Sequence, residues 1–248
     1  MNLNNRHILI TGASSGIGEA TARHLVHLGA TLTLVARRKD NLQAICTDLN
    51  KVSSENCFIQ ADLSQDADIE KIAKKSRPLD GLVHCAGIVF PLPVKFIRRK
   101  HLNQVWNINT FAPILLTSAL LSAKKINSGS SIVFLSSIST THPYPGGSIY
   151  VSSKAALEAF SKNLALELAG KKIRSNVISP ALVKTQILED TIQASDAQKL
   201  KEYEAIYPFG FGETEDVAKA IAYFLSSDSK WVTGQNLAME GGSTLNLK

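Results

Sequence analysis

The stretch HILITGASSGIGEAT, His7 to Thr21, decides the fold. Its first five residues are a short apolar run of the kind that forms a buried strand. Three glycines follow, Gly12, Gly16 and Gly18, where strand gives way to a helical pattern. Gly12 allows a tight turn, Gly16 lets the backbone approach a pyrophosphate, and Gly18 lets the helix pack close to the sheet. The helix then presents free N–H groups and a positive dipole end to the phosphates. Ser14, Ser15 and Ile17 complete this phosphate-facing turn. A glycine triplet alone is weak evidence; the strand before it and the helix after it make it a dinucleotide loop.

The same alternation runs along the chain. HILIT (7–11), TLTLVA (31–36), NCFIQA (56–61), LDGLVHCA (79–86), SSIVFLSS (130–137), IRSNVIS (173–179) and QNLAME (235–240) read as strands. They are too continuously apolar for burial on one face, which predicts a parallel sheet covered by helices on both sides. Helical patterns fill 16–28, 39–51, 66–75, 96–125, 147–169 and 214–226, with Pro113 expected to bend or break the fourth. The fold class is therefore α/β: a doubly wound, Rossmann-type, seven-stranded parallel sheet in one domain spanning 1–248. One long insertion, 184–212, lies between the sixth and seventh strands, where such folds place substrate lids, and Gly210 and Gly212 are its candidate hinges. A pair of packing helices at a subunit contact is the alternative for it.

Composition narrows the function classes. Apolar residues make up 44% of the 248 and charged residues 19%, as in an ordinary globular protein. No run approaches the ~20 apolar residues of a membrane helix, and the polar start enters a strand directly, without a leader pattern. Cys46, Cys57 and Cys85 are scattered and odd in number, which predicts free thiols, a cytoplasmic location and no metal site. The net charge of +6 is spread over short clusters such as Arg98-Arg99-Lys100 and Lys171-Lys172, so a nucleic-acid partner is not expected.

The second strand ends in LVARRKD. A carboxylate usually stands there to hold the ribose 2′-hydroxyl of NAD. Here Ala36 is followed by Arg37 and Arg38, which suit a 2′-phosphate, so NADP(H) is favoured over NAD(H). After the third strand, Asp62 and Leu63 stand where a carboxylate can accept from an adenine amino group; capping the next helix is Asp62's alternative task.

Taken together, these residues resemble the short-chain dehydrogenase/reductase family in its common form of about 250 residues. TGxxxGxG stands as Thr11 to Gly18 and YxxxK as Tyr150 to Lys154, with Ser137 thirteen residues before the tyrosine and Asn109 in WNINTF. ISPALVKT (178–185) and VTGQNLAMEGG (232–242) extend the likeness over essentially the whole chain. The resemblance implies a catalytic set of Asn109, Ser137, Tyr150 and Lys154. It places Ala86 and Gly87 near the adenine ribose, and Pro180, Val183 and Thr185 near the nicotinamide. It implies a homotetramer or dimer built on the helices of 96–125 and 147–169. Two departures stand out. The family's Asn-Asn-Ala-Gly is His84-Cys85-Ala86-Gly87, with His84 expected to brace the sheet. Its Pro-Gly is Pro180-Ala181, where alanine would be strained if the backbone required positive φ.

A ketone gaining hydride needs a proton, and an ammonium one helical turn from a phenol is expected to lower the phenol's pKa. In the implied mechanism Tyr150 supplies the proton and Lys154 tunes it and holds the nicotinamide ribose. Ser137 stabilises the developing alkoxide, and Asn109 holds a water of the proton path. His101 and His142 read as surface residues. The apolar IVFPLP after Gly87 predicts a greasy pocket wall. The function read here is NADP-dependent oxidoreduction of a ketone or secondary alcohol. A 3-oxoacyl-(acyl-carrier-protein) reductase, with carrier protein as partner, is the alternative. A non-catalytic NADP-binding sensor or scaffold is the alternative of another class.

Overall fold

The computed structural model describes residues 1–185 and 204–245. Its centre is a seven-stranded, wholly parallel sheet in the order β3-β2-β1-β4-β5-β6-β7. The strands are β1 (His7–Thr11), β2 (Thr31–Ala36), β3 (Cys57–Gln60), β4 (Leu79–His84), β5 (Ile126–Leu135), β6 (Arg174–Pro180) and β7 (Asn236–Met239). The helices are α1 (Gly16–His27), α2 (Lys39–Leu49), α3 (Asp66–Lys75), α4 (Arg99–Trp106), α5 (Ala112–Ser122), α6 (Ser148–Glu167) and α7 (Thr214–Leu225).

Two cores explain the unbroken apolar strands. On one face Ile8, Ile10, Leu32, Leu34 and Ile178 pack under α1, α2 and α7. On the other, Leu9, Val35, Leu82, Ile132 and Phe134 pack under α3, α5 and α6. Successive side chains of a strand point to opposite faces, so a strand covered on both sides must be apolar at every position. β4 stops at His84, so Cys85 and Ala86 leave the sheet, and β5 begins at Ile126, earlier than the sequence pattern suggests. The strand order turns at β1 and β4. This is the switch point where α/β sheets hold ligands, at the strands' C-terminal ends.

The 96–125 stretch breaks as expected, through an unusual device. A π-helical turn, Asn107–Phe111, separates α4 from α5, and the Ala112 N–H reaches back to the Asn107 carbonyl. Pro113 has no N–H to offer the Asn109 carbonyl and its ring crowds that position, so the α-helical ladder cannot run through. By length and mean hydropathy the helical run Arg99–Ser122 is apolar enough to cross a membrane, which corrects the expectation that no stretch reaches that size. Its residues Val105, Asn109, Ala112, Leu116 and Leu120 are instead packed against the protein.

Candidate active site

The glycine turn is enforced by backbone contact. Gly12 has φ +68°, and a Cβ there would sit 2.7 Å from the Ala86 nitrogen. A Cβ on Gly18 would collide with the Gly12 carbonyl oxygen. Gly16, at φ +55°, faces only Thr185 at ordinary contact distance, so its side of the turn is the open one. Ser15 is the N-cap of α1 but makes no side-chain capping bond, leaving the first-turn N–H groups to a ligand. These features fit a bound dinucleotide: a cradle too tight for Cβ atoms, facing an uncapped helix start.

The two arginines separate. The Arg38 guanidinium lies across the turn and donates to Ser15 Oγ at 2.6 Å, to Ser14 Oγ at 3.2 Å and to the Ser14 carbonyl at 3.3 Å. Arg37 is exposed, and its carbonyl accepts from Gln60. At the next strand end Asp62 does not cap α3, whose N-cap is Gln65; its Oδ1 accepts from Ser64 N and Oγ in a local turn. Leu63 is buried in the core, so only its backbone can face a nucleotide.

His84 acts as a brace, as predicted. The Thr117 hydroxyl donates to the Pro113 carbonyl and therefore accepts from His84 Nε2 at 3.0 Å, while the imidazole stacks on Phe134. Burial holds its pKa down at about 3, so the ring is neutral. Ala86 donates to Thr11 Oγ1. Gly87 passes so close to α6 that a Cβ there would lie 3.2 Å from Lys154 Nζ. The Cys85 thiol beside it is pushed up to about 12 by burial and stays protonated.

Ser137, Tyr150 and Lys154 converge where β5 meets α6. Tyr150 stands near enough to the Ser137 side chain for that group to lower its pKa, and Lys154 Nζ stands 5.9 Å from the tyrosine ring centroid while donating to the Leu135 carbonyl at 2.8 Å. The expected electrostatic balance is corrected here. Burial raises Tyr150 to about 12, partly offset by Ser137, and lowers Lys154 to about 8. Desolvation outweighs the ammonium's pull because Lys154 sits over the ring and spends a proton on Leu135.

The side chain of Asn109 is taken up by the protein itself. Its side chain is fully buried and committed: Oδ1 accepts from Ile88 N at 2.8 Å, and Nδ2 donates to the Ile88 carbonyl and to Ser153 Oγ. It pins the loop after β4 to α6, so only its main chain is left to hold a water. Ala181 carries no strain, since the non-glycine residues at positive φ are Asn5, Lys124 and Lys172 among those described. Pro180 ends β6, Val183 is buried and bridges Gly212, and Thr185 lies against Gly16. Within the 184–212 insertion, residues 186–203 lie outside the described residues. Its exit is fixed: Gly212 N–H donates to the Leu182 carbonyl and Lys184 N–H to the Gly212 carbonyl, so Gly212 is pinned, whereas Gly210 has φ +70°. His101 stacks on Phe90 and His142 is exposed beside Thr141.

Three residues escaped the sequence reading. Ser136 Oγ donates to Glu158 Oε1 at 2.7 Å, tying the end of β5 to α6. Ser153 links Asn109 to the carbonyl of Tyr150. Ser139 donates to Ser137 through both Oγ, at 2.9 Å, and N, at 3.2 Å. All three lie within four residues of a motif position, which was the available signal.

Comparison with known proteins agrees with this geometry. A family model described as Enoyl-(Acyl carrier protein) reductase matches residues 12–244. A glucose 1-dehydrogenase of Gluconobacter oxydans is 32% identical over 247 residues, 97% of this chain and 92% of its own. A 3-oxoacyl-(acyl-carrier-protein) reductase FabG of Rickettsia bellii is 31% identical over 243 residues, 98% of each chain. A blue fluorescent protein from a metagenomic library, solved in complex with NADPH, superposes with a TM-score of 0.90 at 27% identity, covering 98% of this chain and 100% of its own. With a phosphate-cradling turn, a Ser-Tyr-Lys cluster and whole-length likeness of this kind, the chain belongs to the short-chain dehydrogenase/reductase family of oxidoreductases.

Proposed function

We propose that the protein is an NADP(H)-dependent oxidoreductase that interconverts a ketone and a secondary alcohol on an apolar substrate. The observation that carries this is the convergence of Ser137, Tyr150 and Lys154 beside the Gly12–Gly18 cradle. A bound nicotinamide supplies or removes the hydride. The chain's own residues do the rest. Ser137 donates a hydrogen bond to the carbonyl oxygen and stabilises charge as it develops there. Tyr150 gives its phenolic proton to that oxygen in reduction and takes it back in oxidation. Lys154, largely protonated near neutrality with a pKa of about 8, supplies positive charge beside the ring. Asn109 and Ser153 keep the loop at Ile88 against α6 and so hold the cleft's width.

The preference for NADP rests on Arg38, whose guanidinium is already laid over Ser14 and Ser15, and on Ala36 in place of a carboxylate. The apolar wall is the loop 88–93. Its Leu92 N–H donates to the Gly146 carbonyl, joining it to the loop that leads into α6. A panel of aliphatic, aromatic and ring ketones with 3-oxoacyl thioesters, run with NADPH against NADH, tests the reading. Oxidation of NADPH by an apolar ketone at higher kcat/KM than NADH supports it; no turnover of any carbonyl with either nucleotide overturns it in favour of a sensor or scaffold.

The second reading, 3-oxoacyl-(acyl-carrier-protein) reductase, is favoured by the FabG relative and by exposed Arg98, Arg99 and Lys100 at the start of α4, which suit an acidic carrier protein. Faster turnover of a carrier-bound than of a free thioester would select it. We also propose a homo-oligomer, dimer or tetramer, through the outer faces of α4, α5 and α6, supported by exposed Leu102, Phe111, Leu115 and Leu166. Three free thiols support a reducing, cytoplasmic setting.

A further inference from the structure

A hydroxyl can donate one hydrogen bond and accept two. Ser137 therefore has a single proton to direct, and the residues around it decide where that proton points. The short 3₁₀ turn Ile138–Thr140 folds back on Ser137 from one side. Ser139 Oγ donates to Ser137 Oγ at 2.9 Å, and Ser139 N–H donates to the same oxygen at 3.2 Å. Thr140 closes the turn by donating from N and Oγ1 to the Ser137 carbonyl. Ser139 is buried, and among the described residues its hydroxyl donates only to Ser137. Both acceptor positions of the Ser137 oxygen are thus filled from within the turn, and Tyr150 stands near enough for Ser137 to lower its pKa.

We propose that Ser139 is a positioning residue that saturates the acceptor side of the Ser137 hydroxyl and so leaves its one proton to the opposite side, toward the Tyr150 oxygen in the free enzyme and toward the carbonyl oxygen when substrate is bound. The substrate half of this statement rests on the oxidoreductase reading; the Ser137–Tyr150 half does not. A donor aimed at the phenolic oxygen favours phenolate, and Ser137 does lower Tyr150 against the rise caused by burial. The other groups around Tyr150 are accounted for. Tyr144, from the loop before α6, raises it. Lys154 of α6 stands over its ring, and beyond Lys154 lie neutral His84 and the protonated Cys85 thiol of the β4 end.

The test reads Tyr150 directly and needs no substrate. The protein is labelled with carbon-13 at the tyrosine Cζ, and Tyr150→Phe identifies the resonance. Near pH 11 a small fraction of Tyr150 is phenolate, and that fraction is expected to fall about threefold in Ser139→Ala, equal to a shift of about 0.5 pH units. Ser139→Thr, which keeps the hydroxyl, is expected to restore it, and Ser137→Ala to lower it as much, with no further loss in the double variant. Should Ser139→Ala fail to fold, Ser139→Cys, a weaker donor of similar shape, gives the same comparison. In turnover, kcat is expected to drop about tenfold with the KM for NADPH unchanged. An unchanged phenolate fraction in a folded Ser139→Ala protein overturns the proposal. A lowered fraction in a protein that turns over no carbonyl upholds the role of Ser139 and removes the oxidoreductase reading alone.

Discussion

The two halves of the cleft are built on opposite principles. The β1–α1 half is made of backbone: Gly12 against Ala86, Gly18 against the Gly12 carbonyl, and a helix start without a side-chain cap. The β5–α6 half is made of side chains: Ser137 held by Ser139, Lys154 by Leu135, Ser136 by Glu158, and Asn109 by Ile88 and Ser153. The first half tolerates almost no added atom at Gly12 and Gly18 and leaves backbone N–H groups of the helix start for phosphate. The second holds its reactive groups by hydrogen bonds and sets their proton affinities by burial. Binding and chemistry are thus separable by mutation, one by steric change and the other by deletion of single donors or acceptors.

The largest expected effect concerns His84, which ties the end of β4 to α5 through Thr117 and to β5 through Phe134. Its folded pKa of about 3 lies below the ordinary 6.5, so the unfolded chain binds a proton that the folded one does not. Stability is then fully present above pH 6.5 and is lost as pH falls toward 3, by up to about 5 kcal/mol. His84→Asn should remove that component, so that denaturant unfolding at pH 4 and pH 7 differs less than in the parent. An equal pH dependence in both would break the assignment of a buried neutral imidazole.

Next in size is Tyr150→Phe. It deletes one hydroxyl from the side-chain half, and turnover should fall by about 10³-fold. NADPH affinity, read by fluorescence titration, should stay within about twofold. A matching loss of affinity would mean that the halves are not independent. The smallest effect sharpens the comparison within the nucleotide side. Arg38→Ala should raise the KM for NADPH about 10- to 100-fold while leaving that for NADH nearly unchanged, as expected for loss of charge-assisted bonds. Arg37→Ala should change either by less than about threefold, because only Arg38 is held at the turn. The reverse ranking would reassign the 2′-phosphate contact.

Much of this architecture can be read from the chain because double-sided burial leaves a plain mark: Leu32–Ala36 and Ser130–Leu135 are buried throughout and carry no charged residue, since helices cover both faces. The glycine turn and the Tyr150–Lys154 spacing are legible for the same reason, each requiring particular residue types at fixed offsets. What escapes the sequence is decided by third parties. Arg37 and Arg38 look equivalent until the Ser14 and Ser15 hydroxyls choose one. Asn109 looks free to hold water until the π turn aims its amide at Ile88. The proton affinity of Tyr150 depends on how deeply it is buried, which no spacing records. The early start of β5 at Ile126 is hidden by its partly exposed, polar first residues.

The bridge between Val183 and Gly212 has one more consequence. It fastens both ends of the 184–212 insertion to the floor of the cleft, a strand's width apart. Loop closure grows only as about (3/2)RT ln n with length. An insertion anchored at two such points can therefore change in length at slight thermodynamic cost while Ser137, Tyr150 and Lys154 stay where they are. In evolutionary terms the clasp makes the insertion a replaceable cassette on a fixed chassis.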